Sequence, residues 1–189
     1  GTLDGIFVTD VQEIDGEIWH TVEAPLEPGK TVVGKLDFEK RFSNMQNHCG
    51  EHIVSGIVHR IYGFNNVGFH MGSDVITVDF DGVLTEEQLY DVEQEANEAV
   101  LRNVPVTISY PSKEELETMD YRSKKEIEGQ VRIVTIEGYD SCACCGTHVA
   151  KTGEIRLIKI LSAQKYKGGV RVTMLSGEKA YADYCLKHI

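Results

Sequence analysis

No stretch of this sequence approaches the roughly 20 consecutive apolar residues that cross a bilayer. Nor does the opening Gly1-Thr2-Leu3-Asp4-Gly5 carry the charged and then apolar segments that direct secretion. Secretion and membrane insertion are therefore not expected. The chain also lacks a disulfide framework: it has five cysteines, an odd number, and three crowd together as Cys142, Cys144 and Cys145. Such a cluster suits a metal better than paired bridges, and a reducing, cytoplasmic setting fits it. Positive charge is scarce, with 19 Lys and Arg against 30 Asp and Glu for a net charge of -11. That balance argues against tight non-specific binding to a polyanion, which rests on phosphate neutralisation. Basic residues do gather locally, at Lys40 and Arg41 and again at Lys151, Lys159, Lys165, Lys167 and Arg171. Nucleic acid stays open as a partner, with ordinary solvated strand faces as the alternative.

What is present is enough apolar residue, 41% of 189 positions, to bury a core without staples. Short strands over 5–11, 17–22 and 31–37, separated by Asp15-Gly16 and by the turn-prone 25–29, read as part of a small antiparallel barrel. From 42 to 62 the apolar period becomes helical, with Met45, Cys49, Ile53, Ile57 and Ile61 four apart as the core face. Alternation resumes over 66–70 and 74–80. A helix is predicted from about 85 to 101, with Thr85 as N-cap and Gln88 three residues on. A strand over 106–110, a short acidic helix over 113–119 and a strand over 131–137 lead into a Cys-rich loop, 140–149. Strands over 154–161 and 166–175, bent at Gly168-Gly169, precede a final helical segment from 177. The reading is an α+β chain: a partial antiparallel β-barrel over 1–37, a domain of mixed helices and antiparallel sheet over 38–176, and the start of a helical extension over 177–189.

On the first long helix His48 and His52 are one turn apart, so both rings leave the same face and can share one ion. In Cys144-Cys145-Gly146-Thr147-His148 a thiol and an imidazole flank a turn that can direct both to one point. Together they make a sound tetrahedral zinc set, although spacing alone does not separate a catalytic zinc from a structural one. His59, seven residues after His52, lies about 10 Å further along the axis, too far to share the ion, and reads as a surface histidine. Cys49 reads as a core thiol, and Cys142, Cys145 and Cys185 as mostly structural. His20 and His188 carry no signal.

The string Asn47-His48-Cys49-Gly50-Glu51-His52, with Cys144-Cys145-Gly146-Thr147-His148 and Thr152-Gly153-Glu154-Ile155, resembles the editing domain of alanyl-tRNA synthetase and its free-standing relatives, the AlaX-type editing proteins. Gly68-Phe69-His70-Met71-Gly72, Gly129-Gln130-Val131-Arg132 and Leu175-Ser176-Gly177-Glu178-Lys179-Ala180 extend the resemblance over most of the chain. It implies a zinc on His48, His52, Cys144 and His148, at a site where wrongly attached serine or glycine is cleaved from tRNA for alanine. It also implies a Gly-rich segment ahead of Gly1 and a tRNA-binding or oligomerising region after Ile189, so the chain reads as part of a longer protein and a homo-oligomer through that region stays open.

Further roles follow as expectations. Glu51, three residues after His48, is a candidate base or partner of a ligand, with a solvated helix glutamate as the alternative. His70 is placed near the family's pocket, to bind substrate or orient water. Thr147 is a candidate partner for a serine hydroxyl, Arg132 for a phosphate, and Lys165, Lys167 and Arg171 for tRNA. Two rival readings remain. His48-x-x-Glu51-His52 also fits the H-x-x-E-H pattern of a zinc peptidase, and a zinc-stabilised RNA-binding module without catalysis fits the same ligands.

Overall fold

The structure is a computed structural model and describes residues 1–123 and 129–187. The chain divides into two compact units, Gly1–Phe42 and Ser43–Ile189. Among the described residues it is α+β, with three antiparallel sheets and four α-helices.

In the first unit, β1 (Thr2–Leu3), β2 (Ile6–Ile14), β3 (Glu17–Val22) and β4 (Gly34–Lys35) pair in the order β3-β2-β1-β4. The sheet is open, with β3 and β4 as its edges, and no described strand closes it into a barrel. The strand expected over 31–37 shrinks to β4. Asp4 explains the shortening, because its Oδ1 accepts the Val33 N–H at 2.7 Å and so takes a donor that a ladder would have used.

The second unit is built around the part of α1 (Phe38–Tyr62) from Ser43 onward; the helix starts four residues earlier than the periodicity predicted. From Cys49 to Val58 every residue of α1 is buried, whichever way it points. A helix buried all round must be covered on opposite sides. One cover is the sheet β10-β11-β6-β5, formed by β5 (Asn66–Met71), β6 (Ile76–Phe80), β10 (Ile158–Tyr166) and β11 (Gly169–Ser176). The other is the sheet β7-β8-β9, formed by β7 (Val106–Ser109), β8 (Ile133–Ile136) and β9 (Asp140–Ala143). Ile61, expected in the core, lies past this double cover and is 45% exposed.

The second helix, α2 (Glu86–Arg102), has the predicted capping box: Thr85 Oγ1 accepts from Gln88 N, and the Gln88 side chain accepts from Thr85 N. α3 (Lys113–Thr118) and α4 (Glu178–Lys187) are shorter. His188 and the end of the segment 177–189 lie outside the described residues. Two elements differ from expectation. The first half of the Cys-rich stretch is a strand, β9, because Cys142 alternates inward against β8. The segment Thr152–Ile155 is a 3-10 turn rather than the start of β10. Its Thr152 hydroxyl, fully buried, donates to Ala99 O at 2.6 Å and accepts from Val104 N at 2.9 Å, clipping the end of α2 to the Cys-rich loop's exit.

Two side chains immediately ahead of His48 register α1 against its surroundings. Asn47 Oδ1 accepts from Ser176 N at 2.9 Å, and Gln46 Nε2 donates to Glu154 O at 2.8 Å. The motifs Thr152-Gly153-Glu154-Ile155 and Leu175-Ser176-Gly177 therefore sit where they hold the helix that carries the histidines.

Candidate metal centre

α1 presents His48 and His52, and the loop after β9 presents Cys144 and His148. One ligand atom from each of the four lies within 4.8 Å of all the others. Cys144 Sγ is 3.5 Å from His48 Nε2. The rings crowd together, with centroids 4.3 Å apart for His48 and His148, 4.6 Å for His52 and His148, and 4.9 Å for His48 and His52. Donors about 2.0 to 2.3 Å from one ion at tetrahedral angles must themselves lie this close.

Each imidazole has its Nδ1 engaged elsewhere. His48 Nδ1 donates to Thr147 O at 3.2 Å, since a carbonyl only accepts, and this leaves Nε2 as the nitrogen that faces Cys144. His52 Nδ1 donates to Asp140 Oδ2 at 2.8 Å. His148 Nδ1 contacts Cys49 Sγ at 3.2 Å, while its Nε2 is buried and has no hydrogen-bond partner among the described residues. A buried ring nitrogen left without a partner is costly unless something else takes its lone pair. The three-nitrogen, one-sulfur set and this orphaned atom fit a borderline-soft divalent metal.

The thiol chemistry separates the ligand cysteine from its neighbours. Burial acts to raise Cys144, but the three imidazoles crowded around it outweigh burial and bring the thiol down to about 3. Burial acts to lower His52, and the Asp140 and Cys144 hydrogen bonds overcome it and lift the imidazole to about 9. Burial pushes Cys49 and Cys142 up to about 12, so both stay neutral thiols. A second buried group, His52, Asp140 and Cys142, is equally close-set. Its thiol is too reluctant to ionise, and its carboxylate is already gripped by Arg122. Cys145 is exposed.

The loop itself is held by Arg132, whose Nη1 donates to the carbonyls of Cys144 (2.5 Å) and Gly146 (3.0 Å), while Gly146 N donates to Cys144 Sγ at 3.4 Å. Arg132 thus shapes the loop through its Nη1. Gly146 is a close approach: a Cβ there would stand 2.2 Å from His48 Cε1. Gly146→Ala is expected to displace the His48 ring and weaken metal binding by on the order of tenfold, the lower end of what misorienting a ligand costs. Melting of the metal-free chain should change little; zinc titration against a chelating dye would measure the first effect and circular dichroism the second.

Other expected site residues are not brought here. In β5, Phe69 stacks on His48 with centroids 5.7 Å apart. Alternation then puts His70, paired with Thr77, on the opposite face, where it is exposed. Glu51 is 1% exposed and accepts from Ser55 Oγ (2.6 Å) and Asn66 Nδ2 (2.5 Å), so it is no solvated helix glutamate and it stands outside the four-ligand group. Thr147 is exposed beside His148 and spends its carbonyl on His48. His59 is partly buried rather than a surface residue, and its Nδ1 has no hydrogen-bond partner among the described residues. At the β10–β11 turn, which is Lys167-Gly168 rather than Gly168-Gly169, Lys165 and Lys167 are exposed. Arg171 is not a free cation: both Nε and Nη2 bind the Asp79 carboxylate, at 2.6 and 2.7 Å, and the guanidinium lies 3.8 Å over the Tyr166 ring. Asp140, Arg122, Cys49 and Phe69 were not identified from sequence. The one signal was Asp140's place at the start of the Cys-rich stretch, on the same side of the strand as Cys142.

The family described as the threonyl and alanyl tRNA synthetase second additional domain matches residues 131–173, which contain the Cys/His half of the cluster. The alanyl-tRNA editing protein Aarsd1 of Mus musculus is 34% identical over 172 residues, covering 88% of this chain and 42% of that protein. The alanyl-tRNA editing protein AlaX-L of Pyrococcus horikoshii is 32% identical over 182 residues, 93% of this chain and 45% of that protein. The alanine–tRNA ligase of Thermococcus kodakarensis is 35% identical over 185 residues, 92% of this chain and 20% of that protein. The chain spans less than half the length of each of these curated relatives. Over the portion it shares with them, it belongs to the family of AlaX-type alanyl-tRNA editing proteins.

Proposed function

We propose that this chain hydrolyses the ester of tRNA for alanine that carries serine, and also glycine, at a zinc held by His48, His52, Cys144 and His148. The observation that carries the reading is the convergence of three Nδ1-anchored imidazoles on one low-pKa thiolate, in a chain whose relatives are named for alanyl-tRNA editing. Zinc bound there supplies either a lowered pKa for water or a fixed point for the substrate's amino group or ribose. The chain's own residues do the rest: Asp140, Thr147 O and Cys49 orient the rings, Arg132 shapes the loop, and Phe69 covers His48 with an apolar face. Lys165 and Lys167, exposed in an otherwise acidic chain, are the residues assigned to tRNA, with Arg171 locking their turn to β6 through Asp79. The division into a barrel segment (1–37), an editing domain (38–176) and a helical extension from 177 belongs to this proposal, as does a cytoplasmic location; among the described residues no helix is long and apolar enough to cross a membrane.

The peptidase reading needs Glu51 to address a water on the metal, and Ser55 and Asn66 instead hold that carboxylate. A second sieve for serine and glycine has a physical motive: a pocket built for a methyl group cannot strongly reject a smaller side chain or one that adds only a hydroxyl. A site that hydrogen-bonds the serine hydroxyl discriminates well, since alanine leaves the partner unpaired; Thr147 is the residue assigned to that contact. Incubating the chain with seryl-, glycyl- and alanyl-esters of this tRNA, with and without chelator, tests the proposal. The expected result is chelator-sensitive hydrolysis of the seryl ester, faster than the alanyl ester by on the order of 100-fold. Equal rates on both esters, or hydrolysis indifferent to chelator, would defeat it.

A further inference from the structure

The three histidines of the cluster differ in what holds their second nitrogen, and only His52 is held by a carboxylate. Asp140 has 1% of its side chain exposed, and Arg122 has 11%. Arg122 Nε donates to Asp140 Oδ1 at 2.7 Å and Nη2 to Oδ2 at 2.9 Å, while Oδ2 also accepts from His52 Nδ1 at 2.8 Å. The backbone of Arg122 is stitched to β9 as well: its N–H donates to Ser141 O at 2.8 Å and its carbonyl accepts from Ala143 N at 2.9 Å. Both ends of the Arg122–Asp140 pair are therefore fixed to the strand that leads into Cys144.

We infer that Arg122 and Asp140 are positioning residues that hold His52 with its proton on Nδ1 and its Nε2 turned to Cys144, and that they thereby set the affinity of the cluster for its metal. The inference rests on the metal reading of the cluster. A carboxylate accepts and does not donate, so it binds only a protonated nitrogen, and Nε2 is then the nitrogen that would give up its proton and offer a lone pair to an ion. Arg122 has a separate task. Asp140 and Cys142 lie close enough to His52 to form a rival ligand group. A bidentate guanidinium satisfies both carboxylate oxygens, which keeps Asp140 an outer partner of His52 and leaves Cys144 as the thiolate that completes the site. Arg122 borders an open cavity of about 520 Å³, so a lysine in its place meets no overpacking.

The test compares Arg122→Lys, Arg122→Met and Asp140→Asn with the unsubstituted 189-residue chain, each prepared free of metal and titrated with zinc against a chelating dye. Zinc affinity is expected to fall about 10 to 100-fold for Arg122→Met and Asp140→Asn, the usual cost of losing an outer partner, with Arg122→Lys between them and the original because it keeps charge without the fork. Proton–nitrogen spectra of the zinc-loaded chain should show the His52 Nδ1 proton shifted downfield by its bond to a carboxylate, and the Asp140→Asn spectrum should lose that shift. If Arg122→Met does not fold by circular dichroism, Arg122→Lys carries the comparison. Unchanged affinity and an unchanged His52 Nδ1 proton shift in Asp140→Asn would overturn the inference while leaving the metal reading intact. An unsubstituted chain that binds no zinc would overturn both.

Discussion

Replacing Cys144 by Ala is expected to remove zinc from the chain and hydrolysis of the seryl ester with it, whereas Cys145→Ala, one position away, should retain both. The expected loss of zinc affinity exceeds about 100-fold, beyond the cost of losing an outer partner, because the substitution deletes the sole anionic ligand of the set. Cys144 sits where three imidazoles converge, and their closeness brings its thiol down to about 3 against the upward push of burial. Losing it leaves three imidazoles with no anionic ligand in the group to balance an ion. Cys145 is exposed, with no ligand atom in the group. Elemental analysis of the purified variants, alongside deacylation, distinguishes them. Equal zinc loss from Cys145→Ala would show that the loop's register is misassigned.

The parts of the site that were legible in the sequence are those set by local geometry. Four residues make one helical turn, so His48 and His52 had to share a face, and Cys144 and His148 flank a tight loop whatever surrounds them. The Thr85 capping box was legible for the same reason. What the sequence hid depends on which strand lies beside which. Asp140 reaches His52 across 88 positions of chain, through the β8–β9 hairpin folding against α1. Arg171 read as a free cation because its partner, Asp79, arrives only through the β6–β11 pairing. His70 and Phe69 are adjacent in sequence and opposite in space, and choosing between them needs to know which face of β5 meets α1. The apolar period of α1 predicted one buried face, but the helix is enclosed by two sheets, which is why polar residues such as Glu51, His52 and Ser55 are buried beside its aliphatic ones.

That enclosure makes Gly56 a position where a single methyl group should badly damage the fold. An alanine in a helix interior normally gains about 0.5 to 1 kcal/mol over glycine, so the null expectation is stabilisation. Here a Cβ would stand 2.2 Å from the Tyr139 carbonyl oxygen, 2.8 Å from Asp140 Cβ and 2.9 Å from Asp140 Oδ1. The first of these is backbone, in a hairpin closed by the Tyr139 N–H to Ile136 carbonyl bond at 2.9 Å, so it cannot yield by changing a rotamer. Helix and hairpin must part, and overpacking of this kind costs about 1 to 3 kcal/mol, occasionally more. We expect Gly56→Ala to lie at or above the upper figure, lowering the melting temperature by roughly 6 to 12 °C for a chain of this size. The displaced hairpin carries Asp140, so the same variant should also bind zinc more weakly, through loss of the His52 contact. Thermal melts of the metal-free chain read the first effect and dye competition the second. A rise in melting temperature would mean that α1 does not lie against the β8–β9 hairpin, and the Asp140 contact with His52 would have to be abandoned with it.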